Sequence, residues 1–350
     1  MATSDVTPPP ATAGDVARDS LWLPHRYDPE HDAIHFLHVD RATHGASTFL
    51  TDTYLPGDAA KLIVRREECA AAARAGAAPL HFILHSGYCC STLLARALDL
   101  PGRSMGLKEP QILNDIVGWR RRGGDPKRIA QVLDDALDLL AQPFSPGESV
   151  IVKPSNVVNA IAAPILVRRP TAKALLLYAP LPVFLASIAG KGMWGAIWVR
   201  EHFIGAMKDG VVDLGFTQEQ LFGQTDLQIA ALGWLAQQTL FAKLIAHLGS
   251  GRIRSLDSEL FLARKREAIY AVADVFELPI DAEGVQHILH GPAFTRHSKV
   301  GMTFDTDDRA RMQGAARETH REEIEKVTIW AQRVADDAGI AMTLGAPLLG

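Results

Sequence analysis

The residues with the most chemical potential in this chain sit in one short run, LHFILHSGYCCSTLLARAL, over residues 80–98. Residues 80–84 form an apolar stretch that suits a buried strand, and residues 91–98 have a helical pattern. Between them lie Ser86, Gly87, Tyr88, Cys89, Cys90, Ser91 and Thr92. Small residues at that junction let backbone amides turn inward and cradle an anion, with Ser91 and Thr92 capping the helix or offering hydroxyls. The competing reading is a tight strand-to-helix turn with a Ser cap. No Gly-Lys-Ser/Thr closes the loop, which counts against a Walker-type ATPase or kinase. Cys90 and Arg96 have the C-x5-R spacing of protein phosphatases. The residues between them, Ser-Thr-Leu-Leu-Ala, read as helix and core instead. Placement at a helix start could lower the pKa of Cys89 or Cys90.

Charged residues follow two further strand candidates. GLKEP places Lys108 and Glu109 after residues 104–107, and IVKPSN places Lys153 after residues 149–152. Glu109 is the candidate general base, since a carboxylate at that sheet edge can accept a proton from a hydroxyl or amine. It could equally pair with Lys108 or cap the next helix. Lys108 and Lys153 are candidates to face a transferring group; adjacent strand residues point to opposite faces, so Lys108 and Glu109 need not both serve. Arg296, His297, Ser298, Lys299 and Gly301 form a basic, Gly-containing stretch with a local case for anions. Lys191 lies in GKGMWG, a turn that with Trp194 and Trp198 could be a substrate wall or a helix break.

These residues need a scaffold that brings strand ends together. Strand-like and helix-like segments alternate from residue 76 onward, which argues for an α/β domain: a three-layer parallel sheet with helices on both faces. Its strands are expected near residues 80–84, 104–107, 149–152, 173–178 and 252–256. Helices are expected over 58–75, 227–248, 260–276 and 306–338, among others. Residues 1–20, rich in Pro, Ala, Thr and Asp, read as a disordered tail. Residues 21–75 read as an extension packed on a core of residues 76–340.

The order of these segments resembles the PAPS-dependent sulfotransferases, in particular bacterial sulfotransferase-like proteins. The likeness rests on HSGYCCSTLLARAL, GLKEP, VKPSN, ALLLYAPLPVFLAS and RHSKVG in that order, and spans roughly residues 80–335. It implies a P-loop nucleoside-triphosphate-hydrolase-like fold of the sulfotransferase type. It further implies that Ser86 to Thr92 hold a 5′-phosphosulfate and that Ser187 helps hold the 3′-phosphate. Arg296, Lys299 and Gly301 would close over the nucleotide. PAPS would be the co-substrate, with no metal. The family's first loop carries a Lys or Arg where Cys90 stands, and its second motif begins with an Arg where this chain has Tyr178-Ala179-Pro180. The alternative is a P-loop protein that binds another nucleotide or phosphate, or that keeps the fold without catalysis.

The bulk numbers fit this picture. The chain has 350 residues, a net charge of -4 and hydrophobic residues at 47%. It is long enough to bury a core without disulfides. The near-neutral charge gives no broad case for nucleic acid or an anionic membrane, so an anion site must be local. The three cysteines, Cys69, Cys89 and Cys90, fit a reducing compartment rather than a disulfide framework. The N-terminal residues lack the basic and apolar regions of a signal peptide, and a cytoplasmic protein is expected. His25, His31, His35 and His38 lack the helical spacing of a zinc site. No motif specifies the small-molecule acceptor or the oligomeric state.

Overall fold

The computed structural model describes residues 12–211, 214–295, 314 and 318–350. Three strands, β1 (Trp22–Asp28), β2 (Ala33–His38) and β3 (Lys61–Arg65), form an antiparallel sheet in chain order. Five more form the core: β4 (Leu80–His85), β5 (Ser104–Lys108), β6 (Ser149–Lys153), β7 (Ala174–Tyr178) and β8 (Ile253–Asp257). Their order is β5-β6-β4-β7-β8 and every pairing is parallel. Every residue of β4, β5 and β7 is buried. That is why these strands read as continuous apolar runs with no alternation. The parallel α/β expectation and all five expected core strands are therefore met.

The topology fixes where a ligand belongs. From β4 the chain runs outward to β5, returns to β6 between them, then crosses to β7 and β8 on the other side. The direction of winding reverses at β4. In open parallel sheets the crevice at such a reversal, beyond the strands' carboxyl ends, takes the ligand. The loop after β4 is there.

Several expected elements differ. The tail expected over residues 1–20 contains a helix, Ala13–Arg18, with Val16 and Ala17 buried and Thr12 capping its first turn. Residues 58–75, read as one helix, divide into β3 and the helix Arg66–Gly76. KLIVR alternates in exposure, as a strand with one face covered must. The helix expected over residues 260–276 is two, Ser258–Ala263 and Lys265–Val275, separated at Arg264 with φ -122° and ψ 48°. Of the final helix, Arg321–Asp337 lies among the described residues.

The helix Asp226–Leu248 begins with a reciprocal capping box between Thr225 and Gln228. It is long and apolar enough to cross a membrane, yet 61% of its most apolar window is buried inside the fold. It packs against the helices Leu181–Ala189, Met193–Lys208 and Arg321–Asp337, and serves as a core helix.

Candidate functional site

The loop after β4 is held in a conformation that costs energy. Gly87, Tyr88 and Cys90 all have positive φ, at 86°, 53° and 64°. A non-glycine residue there is disfavoured by roughly 1–2 kcal/mol, so the surroundings must impose it. Tyr88 is packed edge-on against Trp198 and Phe184, with ring centroids 5.1 and 6.1 Å away. Cys89 is fully buried and its thiol donates to the Leu177 carbonyl at 3.2 Å. Gly87 is required: a Cβ there would stand 3.2 Å from the Trp198 ring and 3.5 Å from Asn156 Nδ2. A left-handed residue beside a right-handed one turns successive backbone amides to one side, as in an anion nest; Cys90, at φ 64° and ψ 19°, stands where such a turn meets the first turn of the helix Ser91–Ala97.

Both neighbouring strands anchor the loop. The Gly87 amide donates to His85 Nδ1 at 3.1 Å, and His85 Nε2 lies 2.9 Å from the Pro154 carbonyl, just past β6. That pair of contacts requires a neutral imidazole protonated at Nε2. On the other side the Ser86 amide donates to Leu177 O at 3.1 Å, and Ser86 Oγ accepts from the Ala179 amide at 3.3 Å. The expected Ser cap is absent. Cys90 is the N-cap residue of the helix Ser91–Ala97, no side chain caps that helix, and Ser91 and Thr92 are buried in its first turn. The expected lowering of thiol pKa fails for Cys89: burial pushes it up, and the nearby Lys153 charge opposes this only in part.

Glu109 and Lys153 meet as expected of neighbouring strand ends. Lys153 Nζ is hydrogen-bonded to Glu109 Oε1, and the Glu109 amide donates to Lys153 O at 2.7 Å. The lysine side chain is 1% exposed and the carboxylate 18%, so Glu109 is the member of the pair that reaches outward. Glu109 also has positive φ, 54°. Lys108 does not face the loop. Its side chain is buried and donates to the His44 and Gly45 carbonyls at 3.0 and 2.7 Å, holding the end of the helix Arg41–Ala46. Strand alternation sends it there.

Ser187 lies one turn beyond Phe184 and its hydroxyl donates to Val183 O at 2.9 Å, the usual bond of a mid-helix Ser. Arg296, Lys299 and Gly301 lie outside the described residues. Among the described residues, both lysines expected to face an anion are therefore engaged, Lys108 by carbonyls and Lys153 by Glu109. Among the described residues no group of three or more His, Cys, Asp or Glu side chains is placed to hold a metal ion.

Other residues complete the site. Phe49 comes from the N-terminal extension and sets its ring 5.1 Å from Lys153 Nζ. Its neighbour Leu50 donates to Lys108 O at 2.7 Å and accepts from the Gln111 amide at 3.1 Å, so the extension lies along the end of β5. Asn159 donates to His85 O at 2.8 Å and to Gln237 Oε1 at 3.0 Å. Asn156 Nδ2, Asn159 Oδ1 and Gln237 Nε2 are buried with no protein partner. They line a cavity of about 20 Å³, and a second of about 10 Å³ reaches Ser86 and Trp198. The larger has room for a water molecule. Trp198 stacks on His202, centroids 5.1 Å apart, and burial lowers the His202 pKa to about 4. A Gly-Trp turn and a VKPSN segment signalled Trp198 and Asn156; nothing local signalled Phe49 or Gln237.

No family model and no curated protein matches the chain. Among solved structures it is similar to sulfotransferase STF9 from Mycobacterium avium, at 11% identity and a TM-score of 0.42, over 69% of this chain and 77% of that one. It is also similar to the sulfotransferase domain from the curacin biosynthetic pathway, at 13% identity and a TM-score of 0.41, over 76% and 99%. The sulfotransferase domain from the Synechococcus PCC 7002 olefin synthase gives 16% identity and a TM-score of 0.39, over 70% and 95%.

Proposed function

We propose that the chain is a sulfotransferase: it binds 3′-phosphoadenosine 5′-phosphosulfate (PAPS) at the loop after β4 and transfers the sulfuryl group to a hydroxyl or amine of a small acceptor. The observation that carries this reading is the loop itself. It has three left-handed residues in a run of four, tied to the strands on both sides, at the winding reversal of a parallel sheet. The order of sequence motifs supports the choice of a phosphosulfate as the anion. In the transfer, the acceptor oxygen or nitrogen attacks sulfur and forms the new bond. The bond from sulfur to the bridging phosphate oxygen breaks, and the desulfated nucleotide leaves with that electron pair. Glu109 takes the acceptor's proton. Lys153, beside Glu109 and the loop, supplies positive charge as negative charge shifts to the leaving oxygen.

A second reading, anion binding without transfer, is favoured by the engagement of Lys108 and Lys153. Calorimetric titration with PAPS, its desulfated product and ATP separates the two. Transfer predicts micromolar binding of both PAPS compounds, weak or no binding of ATP, and loss of binding in Gly87→Ala. It also predicts that Glu109→Gln binds PAPS but moves no radiolabelled sulfuryl group to acceptors that the native chain sulfates. Binding of PAPS with no transfer to a broad panel of phenols, alcohols and amines supports the second reading. Failure of a folded chain to bind either PAPS compound sinks the first.

A further inference from the structure

Asn156 and Asn159 lie on the short helix Asn156–Ile161 that follows β6, and Gln237 lies on the core helix Asp226–Leu248. Their residues are exposed by only 8%, 1% and 7%. The hydrogen bonds fix each amide. Asn159 Nδ2 has two protons and uses both, on His85 O at 2.8 Å and on Gln237 Oε1 at 3.0 Å. Turned the other way, Asn159 would set its oxygen against two oxygens. Its Oδ1 is therefore the atom with no partner in the protein. Accepting at Oε1 fixes Gln237 in turn and leaves Nε2 as an unpaired donor; Asn156 Nδ2 is a second. A buried polar group left unpaired costs more than a hydrogen bond gains, so three around one gap call for an occupant.

The chemistry of the three atoms selects that occupant. An anion would leave Asn159 Oδ1 unpaired, and a cation would leave the two amide donors unpaired. Only a molecule that both accepts and donates serves all three, and in a cavity of about 20 Å³ that molecule is water. Accepting from Gln237 Nε2 and Asn156 Nδ2 and donating to Asn159 Oδ1, it makes three hydrogen bonds, the usual number for a buried water. The same amides stand at the root of the loop after β4. Asn159 holds the His85 carbonyl, and a Cβ at Gly87 would lie 3.5 Å from Asn156 Nδ2. Gln237 also lines the smaller cavity, together with Ser86. We propose that one enclosed water joins Asn156, Asn159 and Gln237 into a rigid unit that positions residues 85–87 of the loop. Asn159 and Gln237 are then positioning residues: they act on the anion through the loop. The effect on PAPS rests on the reading of that loop given above; the water and the positioning do not.

Nuclear magnetic resonance of the full chain tests this. The expected result is cross-relaxation between the Gln237 side-chain amide protons and a long-lived water. Two variants remove that water by different routes. Gln237→Met keeps the side-chain volume and deletes the partners. Gly233→Ala keeps every amide and fills the space: Gly233 lines both cavities, and a Cβ there meets nothing nearer than Phe203, at 3.7 Å. Each variant should lose the water signal and shift the Gly87 amide resonance, whose proton is bonded to His85 Nδ1 in the native chain. Hydrogen exchange should quicken at residues 85–87 with β5 and β6 unchanged, whereas a merely destabilised fold would quicken throughout. Calorimetry should show PAPS bound roughly tenfold more weakly in both. A native chain with no long-lived water at Gln237 overturns the proposal. So do variants that lose the water yet keep the native Gly87 resonance, or the native affinity for PAPS. A native chain that shows the water, and whose variants shift Gly87, but that binds no PAPS supports the positioning and overturns the sulfotransferase reading alone.

Discussion

Glu109 and Lys153 form one pair with two unequal environments, and the inequality sets what each removal does. Without Glu109, the ammonium group of Lys153 is left 1% exposed, with the Phe49 ring 5.1 Å away. Breaking a buried pair from that side costs on the order of 3 kcal/mol. Without Lys153, the carboxylate, 18% exposed, can turn toward water, and methionine fills most of the vacated volume. Glu109→Ala is therefore expected to lower stability by about 3 kcal/mol and Lys153→Met by about 1 kcal/mol in guanidinium melts. Equal losses would mean that both groups are equally solvated. The sequence presented these residue types and their strand ends, because charge after an apolar run is a local signal. It could not say that Lys108 turns to the helix Arg41–Ala46, since that helix lies far away in sequence and carries no mark of its docking place.

At the scale of elements, the core strands were legible for a simple reason. A strand buried on both faces must be apolar throughout, and that pattern is hard to mistake over four or five residues. The N-terminal sheet was not legible. β1 and β2 contain three histidines, His25, His35 and His38, and are joined by a turn that holds His31 and Asp32, whose φ is 48°, so neither shows clean alternation. β3 was hidden because an Ala-rich helix follows it directly. What the extension needs from the core is electrostatic as well as apolar. Arg66 bridges Asp32 at 2.8 Å and Asp135 on the helix Pro126–Leu140, with only 18% of its side chain exposed. Arg66→Ala leaves Asp135, 8% exposed, with a longer contact to Arg74 at 3.5 Å. The expected loss is about 2 kcal/mol, below that of a fully buried pair because Asp32 keeps access to water. Hydrogen exchange should show it first in β2 and β3. Protection lost uniformly across β4 to β8 instead would mean that the extension and the core unfold together.

The whole molecule carries a pH dependence that follows from burial. His44 and His81 are 1% and 3% exposed. Burial, aided by the positive charges of Lys108 and Arg41, lowers the His44 pKa to about 3. Burial and Lys173 lower that of His81 to about 4, and its ring stacks on Phe276 at 5.3 Å. Both imidazoles stay neutral in the folded chain at a pH where the unfolded chain has protonated them. The unfolded state then binds more protons, so stability falls as pH drops from 6.5 toward 4. Each histidine contributes a slope of about 1.4 kcal/mol per pH unit once the unfolded group is fully protonated. Carboxylates with lowered pKa, such as Asp32 and Asp52, add their own loss only at lower pH. Burial also lowers the His25 and His202 pKa and raises those of Asp99 and Asp135, which act in the opposite sense, so the shares of His44 and His81 are read by difference from urea unfolding between pH 6.5 and 5. His44→Phe and His81→Phe should each remove about one bound proton from that slope, whatever each does to stability at neutral pH. A slope unchanged in both variants would mean that the two rings already carry protons inside the fold, and that the positive neighbours named here do not set their titration.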